Sequence, residues 1–246
     1  MQIEGATVLV TGANGDIGKY YVKALSSANA GKIYAAARKR DSLTDLVNAD
    51  PEKIIPIELD ITNPESVASA AQQCEDVTLL INNAGIGLMR TFIAAEDIAG
   101  ARTEIEVNYL GTLSMCRAFA PILKQNGGGA IINMLSILGK INFPMNASYS
   151  ASKAAAISMT QGIRTELAQQ GTLVVGVMPG TVDTKGSAHW PEPKVSPAVV
   201  VQDALQGVIE GEEDIYPGEQ AKEMVEQLRK VPKALEKAIA KMVSNT

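Results

Sequence analysis

Apolar residues recur along the chain in short, nearly continuous runs that alternate with alanine-rich stretches of helical period. Six runs rich in Val, Ile and Leu have this character: ATVLV, KIYAAA, KIIPIEL, VTLLIN, GAIINML and TLVVGVM. A strand that is apolar at successive positions is covered on both faces, which is typical of a parallel sheet with helices on either side. The pattern therefore predicts an α/β fold whose sheet is doubly wound and has six or more strands.

The domain organisation follows from length and from two changes of pattern. The 246 residues contain no internal repeat and no low-complexity linker, so residues 1–246 are expected to form a single domain. Residues 185–200 are polar and interrupted by prolines, which predicts a lid loop over a site. Residues 219–246 are expected to form a helical tail in which Pro232 starts a second segment. Its apolar stripe comprises Met224, Leu228, Val231, Leu235, Ile239 and Met242.

Composition excludes several classes of function. A net charge of -5 argues against nucleic acid or an anionic membrane as a partner. The first residues lack a basic region, a long apolar run and a small-residue cleavage site, so we expect a cytoplasmic protein. Cys74 and Cys116 have no metal-ligand neighbours and are expected to be reduced thiols. With His189 as the one histidine, no metal site is expected.

The stretch TGANGDIG combines a strand end, a glycine loop and a helix start. Glycines at Gly12, Gly15 and Gly18 let the backbone turn and approach a pyrophosphate, whose charge is stabilised by N–H groups at the helix N-terminus. We expect the main chain of Gly12, Asp16, Ile17 and Gly18 to form this cradle. A carboxylate facing the phosphates would be repelled by about 1 kcal/mol, so Asp16 should turn its side chain outward. We interpret this carboxylate as a helix-start acid stabilised by the helix dipole, and the alternative is a direct role.

The second apolar run ends in YAAARKR, nineteen residues after Gly18. A site for NAD usually has an acidic residue here that binds the ribose 2'-hydroxyl, whereas this chain has Ala37 followed by Arg38. This favours NADP(H), with the guanidinium of Arg38 on the 2'-phosphate, and leaves NAD(H) as the alternative. Lys39 and Arg40 could equally be a solvated helix entry.

Polar and small residues follow the third and fourth runs. Asp60 and Ile61 lie in LDIT, where the carboxylate could accept a hydrogen bond from an adenine amine. Asn83, Ala84 and Gly85 lie in INNAG, where small side chains would let a cofactor ribose lie on the backbone. Taken singly, these residues could also be turns and caps.

The strongest signal for catalysis is the stretch YSASK. It begins at Tyr149, thirteen residues after Ser136, which ends IINMLS. Residues four apart share a helix face, so Lys153 is expected to lie near Tyr149 and to lower the pKa of its phenol from about 10 toward neutrality. Ser136 could donate to the carbonyl oxygen that Tyr149 protonates. The alternative is a chance pairing of Tyr149 and Lys153 on a solvated helix.

Together these motifs resemble the short-chain dehydrogenase/reductase family, in its classical-size branch, over residues 6 to about 184. The resemblance implies a Rossmann-like sheet of about seven parallel strands in a three-layer α/β/α domain. It also implies hydride transfer between a nicotinamide cofactor and a carbonyl or alcohol. One feature departs from the family pattern, because the middle glycine falls at position 15 and gives the GxxGxxG spacing of the extended branch.

The resemblance assigns further roles. Asn108 in VNYLG completes a catalytic set of Asn108, Ser136, Tyr149 and Lys153, in which Tyr149 and Lys153 also contact the cofactor. The segment PGTVDT would bind the nicotinamide carboxamide through Pro179, Gly180, Val182 and Thr184. The alternatives are that Asn108 only kinks its helix and that Pro179 and Gly180 only turn the chain.

A substrate pocket is expected by analogy from Leu88, Leu138, Phe143, Thr181 and Trp190, which are mostly apolar and suggest a hydrophobic ketone or aldehyde as substrate. Several of them could instead pack under the lid. The resemblance also implies a homodimer or homotetramer. Two other functions stay open: a non-catalytic, NADP-sensing regulatory protein and an isomerase or dehydratase that retains its cofactor.

Overall fold

Seven parallel strands form one sheet in the order β3-β2-β1-β4-β5-β6-β7. The computed structural model describes residues 1–244, with side chains as far as residue 241. The six apolar runs all form strands, and a short seventh strand lies at the sheet edge, so the predicted sheet is confirmed. The strands are β1 (Thr7–Thr11), β2 (Lys32–Ala37), β3 (Ile54–Glu58), β4 (Leu79–Asn82), β5 (Ala130–Met134), β6 (Leu173–Val177) and β7 (Asp214–Ile215).

Helices cover both faces of the sheet and complete the three layers. A π-helical turn over Glu106–Gly111 joins the fourth and fifth helices. The helices are α1 (Asp16–Ser27), α2 (Thr44–Ala49), α3 (Pro64–Gln73), α4 (Ala99–Ile105), α5 (Thr112–Gln125), α6 (Ala147–Leu167), α7 (Pro197–Glu210), α8 (Glu219–Lys230) and α9 (Pro232–Ser244).

Two apolar cores hold these layers together. On one face, Tyr21 of α1 and Val200 of α7 pack against β1 side chains such as Val10. On the other, Phe119 of α5 and Ile163 of α6 pack against strand side chains turned the opposite way. Each fully buried large side chain contributes roughly 1.5–3 kcal/mol, so the near-continuous apolar character of the strands stabilises both interfaces.

The segment predicted as a lid differs from the expected loop. Residues 185–187 form a 3₁₀ turn, and Val182 pairs with Val195 in an isolated parallel bridge. Ser196 caps α7 by accepting a hydrogen bond from the N–H of Val199, and Pro197 provides the first helical residue. The predicted lid of 185–200 is therefore too long, because its last four residues belong to a helix.

The tail contains the two helices α8 and α9, separated at Val231. Leu235 and Ile239 are buried, but Val231 is 49% exposed. The predicted stripe is wrong at Val231, because this residue leaves the helical conformation and the helical period restarts after it. The side chain of Met242 lies outside the described residues.

The chain reverses its direction of winding next to β1, which lies between β2 and β4. In open parallel sheets, ligands bind in the crevice beyond the carboxyl ends of the strands at such a point. The loops after β1, β4, β5 and β6 therefore line the candidate site.

Candidate active site

The glycine loop joins β1 directly to α1. Gly12 has φ +62°, a conformation that favours glycine, and Gly15 is the residue before the helix. A methyl group at Gly18 would fall on the carbonyl oxygen of Gly12, so this position needs glycine for the helix to pack against the loop. The loop thus presents bare backbone at the start of a helix, the geometry that binds anions.

Asp16 begins α1, and Ile17 next to it packs against the core. The Asp16 carboxylate Oδ2 accepts a hydrogen bond of 2.7 Å from the main-chain N–H of Lys185. No sequence pattern indicates this partner, which reaches Asp16 because the chain after β6 folds back over the start of α1.

Arg38 and Asp60 lie close enough to interact electrostatically at the ends of β2 and β3. Two hydrogen bonds from Thr62, through its hydroxyl and its N–H, lower the pKa of Asp60, and the charge of Arg38 lowers it further. Both bonds go to Oδ1 of Asp60, at 2.7 and 2.9 Å. The Asp60 side chain therefore stabilises a local turn, which is the alternative role that the sequence allows. Ile61 is buried against Gly111. The adenine role of Asp60 stays a prediction.

Thr11 and Asn83 join the ends of β1 and β4. The Thr11 hydroxyl oxygen accepts hydrogen bonds from the N–H groups of Asn83 and Ala84, each at 3.0 Å. The Asn83 side-chain amide donates to the carbonyl oxygens of Thr11 and Gly12. Sequence reasoning assigned no role to Thr11, although its place directly before the first glycine was a usable signal.

Asn108 lies in the π-helical turn and is buried. Its Oδ1 accepts from the N–H of Ile86 at 2.9 Å, and its Nδ2 donates to the Ile86 carbonyl oxygen and to Ser152 Oγ. A methyl group at Gly85 would lie 3.1 Å from Asn108 Oδ1 and 3.5 Å from Lys153 Nζ. The backbone of Gly85 therefore meets two predicted catalytic side chains.

Ser136, Tyr149 and Lys153 come together beyond β5. Ser136 follows the strand and accepts a hydrogen bond from the N–H of Leu138. Tyr149 and Lys153 lie one turn apart on α6, with Lys153 Nζ 5.7 Å from the centre of the tyrosine ring. The ammonium also donates to the carbonyl oxygen of Met134 at 2.7 Å. The structure thus brings these predicted catalytic side chains and Asn108 to one place.

The protonation of this cluster differs from expectation. Burial raises the pKa of Tyr149 to about 12, although a hydrogen bond with Ser136 opposes the rise. Burial lowers the pKa of Lys153 to about 8. The prediction that Lys153 brings the phenol toward neutrality is wrong for the ligand-free chain, because desolvation of the phenolate is the largest influence on the pKa of Tyr149.

The segment after β6 is fixed by contacts that span the chain. The Pro179 carbonyl oxygen accepts from the N–H of Ile137, and Thr184 caps the turn that contains Ser187. Gln220 Oε1 accepts from the N–H of Thr181 at 2.7 Å, and a methyl group at Gly180 would strike the Gln220 side chain. Sequence reasoning missed Gln220, and no local motif marks it.

Of the predicted substrate-pocket residues, Phe143 and Trp190 are in direct contact. Their ring centroids are 5.5 Å apart in an edge-to-face arrangement, which joins the lid segment to the chain before α6. Leu88 is 39% exposed, and Leu138 and Thr181 are partly buried. The pocket assignment of all five stays a prediction.

Within residues 1–244, no helix has the length and apolar character that crossing a membrane requires. In the same part of the chain, no three His, Cys, Asp or Glu side chains gather in a way that could hold a metal ion.

Comparison with known proteins decides the family. The model of the short chain dehydrogenase family matches residues 6–194. This chain belongs to the short-chain dehydrogenase family. Members of this family are oxidoreductases, and this chain is one of them. The matched region includes every predicted catalytic and cofactor-binding residue.

Two solved short-chain dehydrogenases are similar over nearly the whole chain. One, from Burkholderia cenocepacia J2315 in complex with NADP, is 46% identical in sequence and has a TM-score of 0.92. The match covers 97% of this chain and 99% of that chain. One from Sphingobium yanoikuyae, in complex with NADPH, is 26% identical with a TM-score of 0.78 and covers 98% and 96%. Among curated short-chain dehydrogenases, the ketoacyl reductase HetN of Nostoc is 34% identical over 76% of this chain and 69% of its own.

Proposed function

We propose that this protein is an NADP(H)-dependent reductase that transfers hydride to an apolar ketone or aldehyde. The observation that carries the proposal is the meeting of Ser136, Tyr149 and Lys153 beside the bare backbone of Gly85. A phenol whose pKa is about 12 stays protonated at neutral pH, which suits a group that must donate a proton.

The residues present fit a dinucleotide. Gly12 and Gly18 allow the close packing that leaves bare backbone at the start of α1, where phosphates would bind, and the backbone of Gly85 lies beside Asn108 and Lys153, where a ribose would lie. The nicotinamide supplies the hydride when bound. Lys153 would hold the ribose hydroxyls, Ser136 would donate to the substrate oxygen, and Tyr149 would protonate it. Asn108 fixes the backbone at Ile86 and would support proton return through water.

The preference for NADP(H) rests on Arg38 after β2, where no acidic side chain stands to bind a 2'-hydroxyl. The NADP and NADPH complexes of the two similar structures agree with it. The apolar substrate rests on the contact between Phe143 and Trp190 and on the exposed Leu88. In this proposal residues 185–196 act as the lid.

Self-association is a further part of the proposal. Large apolar side chains are exposed before α4, at Phe92, Ile93 and Ile98, and in the π-helical turn before α5, at Leu110. Exposed apolar side chains of this size would favour contact with a second copy. Sedimentation analysis should find a dimer or tetramer.

The test follows absorbance of NADPH and NADH against a panel of apolar ketones and aldehydes. Tyr149→Phe should lower turnover by about 10²–10⁴-fold and leave NADPH binding unchanged. Tyr20→Phe is the matched control, because this tyrosine is exposed. Undiminished turnover in Tyr149→Phe would refute the assignment. Tight NADPH binding without turnover would favour a sensor, and substrate conversion at constant absorbance would favour an isomerase.

A further inference from the structure

A carboxylate that the proposed reaction does not use lies in the core beside the active site. Glu104 of α4 is fully buried. Burial of an ionised carboxylate is unfavourable unless the group is paired or hydrogen-bonded. Glu104 Oε1 accepts a hydrogen bond of 2.7 Å from the N–H of Leu88, whereas Oε2 is buried and accepts none from the described part of the chain.

Leu88 belongs to the segment 86–90, which follows β4 and lies against Tyr149. A methyl group at Gly87 would stand 3.3 Å from the Tyr149 ring. Met89 adopts φ +54°, a left-handed conformation that costs a non-glycine residue roughly 1–2 kcal/mol. Such a conformation persists only when surrounding contacts enforce it.

Contacts fix this segment at both ends and in its middle. Asn108 holds the N–H and carbonyl groups of Ile86. The Arg90 carbonyl oxygen accepts from the N–H groups of Ala147 and Ser148 in the first turn of α6, just before Tyr149. Glu104 holds the middle through Leu88. The 86–90 segment thus links α4 to the helix that carries the tyrosine.

The charge of Glu104 also acts on the phenol. After burial, this charge is a further cause that raises the pKa of Tyr149. The other groups facing the phenol are the Ser136 hydroxyl and the Lys153 ammonium.

We propose that Glu104 is a positioning residue of the active site: through its hydrogen bond with the Leu88 N–H, it holds the 86–90 segment against Tyr149. Carbonyl reduction needs the protonated phenol, and alcohol oxidation needs the phenolate. The charge of Glu104 therefore biases the site toward reduction, an inference that rests on the proposed function for its kinetic consequence alone.

The first experiment needs no substrate. The ¹³Cζ resonance of Tyr149 is followed against pH in ligand-free protein with labelled tyrosine and is assigned by its loss in Tyr149→Phe. Glu104→Gln keeps an acceptor for Leu88 but removes the charge, so the midpoint should fall by about one pH unit. Glu106→Gln is the control, because Glu106 is exposed two residues away. A midpoint in Glu104→Gln that is equal to or above that of the control would overturn the influence of this charge on the phenol.

The second experiment separates the hydrogen bond from the charge. Glu104→Gln should leave substrate KM within about twofold and shift the alkaline rise of alcohol oxidation to lower pH. Glu104→Ala should raise KM about tenfold, the size of one lost hydrogen bond. A KM in Glu104→Ala no higher than in Glu104→Gln would overturn the positioning role, and an unchanged pH profile in Glu104→Gln would overturn the role of the charge. Absence of turnover in every variant would refute the proposed reductase but would leave the tyrosine titration valid as the test of Glu104.

Discussion

The carboxylate of Asp16 and the main-chain N–H of Lys185 form a hydrogen bond across 169 residues of sequence. It joins the first residue of α1, beside the glycine loop, to the turn that begins the lid segment. The aspartate that follows the shifted middle glycine therefore has a structural explanation: it fastens the turn over residues 185–187 to the start of α1.

Asp16→Ala should free the start of the lid. Without the acceptor, we expect hydrogen exchange at the Lys185 amide to accelerate about fivefold, the effect of roughly 1 kcal/mol for one solvent-accessible bond. Exchange measured by mass spectrometry on peptides covering residues 181–190 tests this. Asp16→Asn retains an acceptor and should exchange like the unchanged protein; equal rates in all three proteins would contradict the prediction.

Arg38→Ala should reduce selectivity for NADPH. Loss of a charge-assisted contact with the 2'-phosphate should weaken NADPH binding about 10- to 100-fold and leave NADH binding within twofold. Nicotinamide fluorescence on binding measures both dissociation constants. Arg40→Ala is the matched control, since Arg40 is also exposed. An equal loss of affinity for NADPH and NADH would show that Arg38 does not bind the 2'-phosphate.

Stability of the ligand-free protein should depend on Lys153 and pH. Its folded pKa of about 8 lies below the unfolded value of about 10.4, so the unfolded chain binds more protons between these pH values. Lys153 therefore contributes about 3 kcal/mol of stability that appears as pH rises across this window, against the opposite contribution of buried Cys74 and Cys116, whose pKa is raised to about 12. Urea unfolding from pH 7 to 10.5 should show the stability of wild type relative to Lys153→Met increasing by this amount. The same pH dependence in both proteins would exclude Lys153 as its source.

Gln220→Ala should loosen the turn after β6. It removes the acceptor for the Thr181 N–H and should lower the free energy of unfolding by about 1 kcal/mol, with a several-fold weaker cofactor affinity. Gln220→Glu keeps the acceptor and should restore most of the stability. Gln227→Ala, on an exposed site of the same helix, is the control. Cofactor affinity equal to that of the control would separate Gln220 from the site.

The sheet was predictable because each strand is apolar at successive positions, a local signal that burial on both faces requires. Ser136, Tyr149 and Lys153 were predictable because strand ends and helical spacing place them. Gln220 and the partner of Asp16 were not, since each bond joins residues far apart in sequence. The protonation of Tyr149 was also missed, because desolvation depends on how the whole site packs and no spacing encodes it.

The hydrogen bonds from Asn83 and Ala84 to Thr11 bear on the order in which the site assembles. The glycine loop lies near the N-terminus, yet its geometry depends on residues 72 and 73 positions later. Closing so long a loop is entropically unfavourable until β4 has docked beside β1. A nascent chain that has emerged only through β3 would therefore hold no finished phosphate cradle, and cofactor could stabilise the fold only after β4 has been synthesised.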